Sequence, residues 1–323
     1  MSSGSQTMVQ ENGQETAVTP IVECVPNFSE GKDREKMREI VRAMRVEGVS
    51  LLDWSMDADH HRSVVTIAGA PEAVAESAVR GVGKAAELID LTQQKGEHPR
   101  MGAADVVPFV PVSGITLGQC ALLARQAGME MWKRFGVPVY FYEAAASRPD
   151  RVFLENVRRG QFEGLQKDAM HDSTRRPDVG GPGLHETAGA TAVGARQFLI
   201  AYNIGLEAVR GKADVGLART VAREVRASSG GLFGLKAMGV VANGQAQVSM
   251  NVTDFRQTPM KRVHAAVVES AARHGAQAGL GEVIGLIPEE AYEPNADWVR
   301  QTVGFNPEER VLERRLQHPL NWP

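Results

Sequence analysis

The segment Gly96-Glu97-His98-Pro99-Arg100-Met101-Gly102-Ala103-Ala104-Asp105-Val106-Val107-Pro108-Phe109 sets a histidine, an arginine and an aspartate in a turn that opens into an apolar strand. A turn at a strand edge can hold a titratable ring against a bound molecule. The ordinary pKa of an imidazole lies close to neutrality, so His98 could take up a proton and return it within one turnover. A histidine that only hydrogen-bonds its own turn would show the same spacing. Arg100 has the fork to clamp a carboxylate and Asp105 the oxygens to orient a ring, and a local salt bridge closing the turn explains both equally well.

Asp57, Asp59, His60, His61 and Arg62 form a second polar cluster. Adjacent histidines on an extended chain point to opposite faces, so His60 and His61 are poorly placed to share one ion, and no HxxxH or HExxH spacing supplies a helical pair. No metal is expected; the cluster reads as a hairpin loop, either substrate-binding or inert. Gly81-Val82-Gly83-Lys84-Ala85-Ala86 matches a loose dinucleotide fingerprint, but inside a helical run rather than between strand and helix, so close helix packing is the better account. Neither a GxxxxGK[ST] phosphate loop nor a GxSxG elbow occurs. Asn27, Ser29, Asn203 and Asn251 place amides and a hydroxyl where strands would otherwise be apolar. Converging on one cleft, they would suit a ring rich in donors and acceptors, such as a pterin; singly, they are structural hydrogen-bonders.

The elements that must position these groups form a repeated pattern. Strands over 21–26, 49–54 and 63–68, helices from Asp33 to about Arg45 and from Pro71 to about Ile89, and a strand over 106–112 give the order βαββαβ of a ferredoxin-like sandwich. A helix over 116–135 and a strand over 137–142 extend that sheet. The order returns as strand 197–204, helix 214–227, strands 237–242 and 247–252, helix 259–274 and strand 282–287. The fold class is therefore α+β, two ferredoxin-like sandwiches. The expected division is an arm over 1–19, a first subdomain over 20–195 that includes a connecting loop, a second over 196–291, and a charged extension over 292–323.

With 323 residues, 43% of them hydrophobic, the chain can bury two cores. A formal net charge of −3 provides no field for nucleic acid or an anionic membrane, which favours small-molecule chemistry. Cys24 and Cys120 read as reduced, buried thiols of a cytoplasmic protein. Residues 1–19 lack the basic start and apolar stretch of a secretory signal and read as a disordered arm. No apolar run approaches the length of a membrane span. A homodimer is the expected assembly.

Three separated stretches, Val22-Glu23-Cys24-Val25-Pro26-Asn27-Phe28-Ser29-Glu30-Gly31, the segment from Gly96 to Phe109, and Gly194-Ala195-Arg196-Gln197-Phe198-Leu199-Ile200-Ala201-Tyr202-Asn203, stand in the right order. Through them the chain, from about Ile21 to about Pro288, resembles the formiminotransferase domain family. The resemblance implies a monofunctional transferase, since the chain ends too soon to hold the helical cyclodeaminase domain of the animal proteins. It implies transfer of a formimino group from N-formimidoyl-L-glutamate to N5 of tetrahydrofolate, as co-substrate, in histidine degradation. It implies a ligand cleft or tunnel between the two sandwiches, and His98 as the catalytic residue. It implies a folate-contacting segment of Gly180, Gly181, Pro182, Gly183, Leu184, His185, Glu186, Thr187, Ala188 and Gly189. Asp105 would then fix the ring tautomer and Arg62 or Arg100 hold a substrate carboxylate, with Asn27, Asp59 and Asn203 as further substrate contacts. The alternatives are a folate enzyme with a different formyl or formimidoyl donor and a non-catalytic sensing protein, since paired ferredoxin-like modules also serve regulation.

Overall fold

The computed structural model describes residues 18–94, 99–208, 214–242 and 244–323. Most of the expected N-terminal arm lies outside them. The first part of the chain runs β1 (Ile21–Cys24), β2 (Asn27–Phe28), α1 (Arg34–Ala43), β3 (Val49–Asp57), β4 (Arg62–Gly69), α2 (Pro71–Leu88), β5 (Ala104–Ser113), α3 (Leu117–Phe135), β6 (Val139–Glu143), α4 (Leu154–Val157), α5 (Gln161–His171) and β7 (Thr191–Ala195). Asp33 caps α1 by accepting from the amides of Glu35 and Lys36, Pro71 opens α2, and Thr116 with Gln119 closes a capping box on α3. The short β1 and β2 act as one strand broken at Pro26, which has no N–H to give the ladder. Both pair with β4 on one side and β5 on the other, antiparallel, and β3 pairs with β4. This is the split-βαβ order expected.

Beyond β5 the sheet differs from the sequence reading. β7 inserts between β5 and β6, parallel to both. Its residues, Thr-Ala-Val-Gly-Ala, are small and buried on both faces, so they lack the two-residue alternation that marks a half-exposed strand. The second part of the chain runs β8 (Ile200–Ala208), α6 (Val215–Val225), β9 (Leu235–Ala242), β10 (Gln245–Val252), α7 (Met260–Arg273) and β11 (Ala276–Ile284). Its sheet has the antiparallel order β11-β8-β10-β9, a second ferredoxin-like sandwich. β11 starts well before the expected residue 282 because Ala-Gln-Ala-Gly-Leu-Gly carries no apolar rhythm to announce it.

Helices α1, α2 and α3 cover one face of the first sheet, and α6 and α7 one face of the second. Short helices follow: α8 (Glu289–Tyr292), α9 (Ala296–Val299), α10 (Pro307–Arg310) and α11 (Leu312–Gln317). They are part of the packing rather than an appendage. Val299 and Val311 belong to the second core, while Leu312 meets Leu52 and Ala68 on the helix-free face of the first sheet. Arg315 also donates to the Leu52 carbonyl at 2.8 Å. The other edge of that face is covered by α4 and α5, whose Val157 and Leu165 pack on Tyr140 and Tyr142.

Gly81 and Gly83 sit inside α2, and their contacts explain the fingerprint-like spacing. A Cβ at Gly83 would stand 2.4 Å from the Phe135 ring, and one at Gly81 2.8 Å from Met44. Gly83→Val should therefore lower stability by roughly 1–3 kcal/mol through overpacking, despite the gain in helix propensity. Urea unfolding would measure it, and an unchanged midpoint would show that α3 yields freely.

Candidate active site

His98 lies outside the described residues, with Lys95, Gly96 and Glu97. The described residues on either side of it are held by hydrogen bonds. On the near side, the Gln94 side chain donates to the His61 carbonyl at 3.1 Å, which ties it to the β3–β4 hairpin. On the far side, Arg100 Nη2 donates to the carbonyls of Leu91 (3.2 Å) and Gln94 (2.7 Å) and to Glu163 Oε1 (2.9 Å). Ser29 Oγ donates to the Gly102 carbonyl at 2.7 Å. The segment ending at Gly189 packs on the same turn: Leu91 N donates to Thr187 O (2.9 Å), Ala103 N to Ala188 O (2.8 Å) and Ala190 N to Met101 O (3.0 Å). Gly189 has φ +69°, and a Cβ there would fall 2.2 Å from the Met101 carbonyl, so only glycine permits this contact.

Next to that turn two arginines share one carboxylate. Asp105, wholly buried, accepts from Arg62 Nη1 at 2.8 Å and Arg158 Nη2 at 2.5 Å on Oδ2, and from the Met101 amide at 2.9 Å on Oδ1. Arg62 Nε donates to Asn27 Oδ1 at 2.9 Å, so β2, β4, β5 and the turn after α4 meet here. Burial alone would push the Asp105 carboxyl up; Arg158 and Arg62 outweigh it and hold the group below its usual range. Burial takes Arg62 down to about 10, with Asp105 opposing and Arg158 adding to the fall. Two guanidiniums thus meet on one carboxylate, and Arg158 Nε is buried with no hydrogen-bond partner among the described residues.

Gly31 locks the hairpin that carries Arg62: a Cβ there would lie 2.0 Å from the Asp57 carbonyl and 2.5 Å from the Arg62 amide. His60 and His61 each answer to a different carboxylate, Asp57 Oδ2 (2.9 Å) and Glu30 Oε1 (3.2 Å). Among the described residues no group of three His, Cys, Asp or Glu side chains could hold a metal ion.

Asn27, Arg62 and Asp105 thus come together. Asp105 serves as counter-ion to two arginines, and Arg100 is bound to local carbonyls and Glu163, the turn-closing alternative. Asp59 is exposed at the hairpin tip. Asn203 lies on the second sheet, in register with Ser249 and Glu282, and Asn251 nearby on β10 is exposed. Within Gly180–Gly189, Leu184 packs on the first core and His185 Nδ1 accepts from the amides of Thr187 (3.3 Å) and Ala188 (3.1 Å). A cavity of about 450 Å³ lined by Arg80, Lys84, Phe135 and His185 lies on the helix layer, away from Asp105. Sequence reasoning missed Arg158 and Tyr142. Tyr142 is buried on β6, pushed up to about 12 by burial, with Arg196 and Arg158 near enough to oppose that rise.

Asp105→Ala leaves two guanidiniums without their counter-charge, a loss of about 3–5 kcal/mol. Because the Asp105 pKa is depressed in the folded state, the stability that it contributes is present above the unfolded carboxyl pKa and is lost as pH falls through the folded value. Denaturation of wild type and variant between pH 7 and 2 should show the gap narrowing with acid; a constant gap would remove Asp105 from the acid response.

Two family models cover most of the chain: the formiminotransferase domain, N-terminal subdomain, over residues 21–196, and the formiminotransferase domain over residues 201–316. Glutamate formimidoyltransferase of Thermoplasma acidophilum is 40% identical over 305 residues, 93% of this chain and 99% of that protein. The protein of the same name from Streptococcus pyogenes is 40% identical over 299 residues, 92% of this chain and 98% of its own. Formimidoyltransferase-cyclodeaminase of Gallus gallus is 36% identical over 330 residues, covering 92% of this chain and 60% of the longer protein. These matches establish that the chain belongs to the formiminotransferase family.

Proposed function

We propose that this chain transfers the formimino group of N-formimidoyl-L-glutamate to N5 of tetrahydrofolate. The observation that carries the reading is the pair of arginines, Arg62 and Arg158, on the single buried carboxylate of Asp105. The relatives named glutamate formimidoyltransferase, 40% identical along nearly their whole length, support the same chemistry.

The donor is a glutamate derivative, and the forks of Arg62 and Arg158 suit one of its carboxylates. Asn27 and Asp105 keep the two forks in place, which reduces the entropy lost on binding. The segment Gly180–Gly189, laid against Met101–Ala103, is the folate contact. Attack by N5 on the amidine carbon forms one C–N bond and a tetrahedral intermediate; its collapse breaks the C–N bond to glutamate. A proton leaves N5 and one must reach the departing nitrogen, and His98 carries it from the first to the second.

His98→Ala should reduce turnover by about 10²-fold or more with little change in folate affinity. Arg158→Met should lower kcat/KM for formimidoylglutamate by about 10-fold or more, the loss of a charged hydrogen bond, mainly through KM. Both are read by spectroscopic assay of the folate adduct, with 5-formyltetrahydrofolate and formylglutamate run as rival donors. An enzyme that forms no adduct from formimidoylglutamate, or an Arg158→Met variant with an unchanged KM, would overturn the respective assignment.

A further inference from the structure

Glu23 lies on the helix-free face of the first sheet, because its neighbours Val22 and Cys24 point into the helix-covered core. It pairs in register with Ala68 on β4 and Val110 on β5, neither of which is charged. The residue is 4% exposed. Among the described residues its carboxyl accepts no hydrogen bond and closes no ion pair. Two charged groups act on it without touching it: Arg196, just past β7, and Glu313 on α11, whose own carboxylate is held by the Glu289 amide at 2.7 Å. Burial raises the Glu23 carboxyl to about 7, Arg196 opposing and Glu313 adding to the rise. A buried carboxyl with no partner costs free energy, and such groups are retained where a ligand completes them.

Its place relative to the arginine pair gives that ligand a shape. Glu23 and Asn27 lie on the same interrupted strand, four residues or about 13 Å apart. Tyr142 on β6 is under the influence of both Arg158 and Arg196. The face carries two guanidiniums at the Arg62–Arg158 end and a carboxyl at the Glu23 end. We propose that Glu23 is a substrate-binding residue that receives an amidine-type edge, two N–H donors flanking one carbon. This rests on the transferase reading above. Both substrates of that reading carry carboxylates at one end and such an edge at the other: the formimidoyl group of the donor, and the N3–H and 2-amino group of the pterin.

Isothermal titration separates the two sources. Wild type and Glu23→Gln are titrated near pH 7 with formimidoylglutamate alone and, without oxygen, with tetrahydrofolate alone, in two buffers of different ionisation enthalpy. The ligand that meets Glu23 should release a proton from wild type, and bind Glu23→Gln at least ~10-fold more weakly with that proton release gone; the other ligand should bind both alike. Equal affinity of both ligands for wild type and variant, or a proton release that survives in the variant, overturns the proposal while leaving the transferase reading intact. Wild type that binds neither ligand overturns both. Folding of the variant has its own check. A carboxyl pKa raised by folding means that the stability is fully present below the unfolded value and is lost as pH rises through about 7. Glu23→Gln should therefore melt higher than wild type at pH 8 and alike at pH 5. Should the variant not fold, wild-type titrations between pH 6 and 8 decide, and no proton release with either ligand overturns the proposal.

Discussion

A carboxylate shared by two guanidiniums organises this molecule's chemistry. Asp105 is wholly buried, and an isolated ion there would be untenable; three donors make it stable, and they come from three separate parts of the chain. Because Arg62 is also held by Asn27, and the hairpin carrying it is held by Gly31, the fork has little freedom left. Rigidity of this kind is what a site for a small charged substrate needs, since a positioned group acts without reorganising.

The scaffold divides its labour accordingly. Helices α1, α2 and α3 stabilise the first sheet from behind, through a core that includes Phe28, Ile67 and Phe109. The opposite face carries Asp105, Tyr142 and Glu23, and is covered at its two edges by different parts of the chain: α4 and α5 on one side, the C-terminal helices on the other. Lys236 of β9 reaches Glu155 of α4 at 2.9 Å, so the second sandwich is tied to the same region.

Much of this was legible in the chain. Asp33 and Pro71 announced two helix starts, and the stretches 63–68 and 247–252 read as strands, because each is a local signal. Asn27 was a candidate as a polar group where a strand would be apolar, Arg62 as part of the polar hairpin cluster and Asp105 for its place in the segment of His98. Arg158 was not: its contact with Asp105 spans 53 residues, and it stands in a stretch crowded with other arginines, including Arg148, Arg151, Arg159, Arg175 and Arg176. β7 and the first part of β11 were hidden for the opposite reason, being built largely of residues too small to show a periodic pattern. Glu23 stood within a quoted motif, but only the burial of its carboxyl distinguishes it from an ordinary surface acid on a strand.

The late insertion of β7 between β5 and β6 has a consequence for how this architecture tolerates change. The excursion from residue 144 to 190 leaves the sheet at β6 and re-enters as β7 between β6 and β5, carrying Arg158 outward and back. A nick, circular permutation or shortened connection within it would separate a cation from its counter-ion as well as a strand from its neighbours. A stretch whose composition suits a linker or a binding loop is thus one where a change of length would disturb a buried charge as well as a sheet.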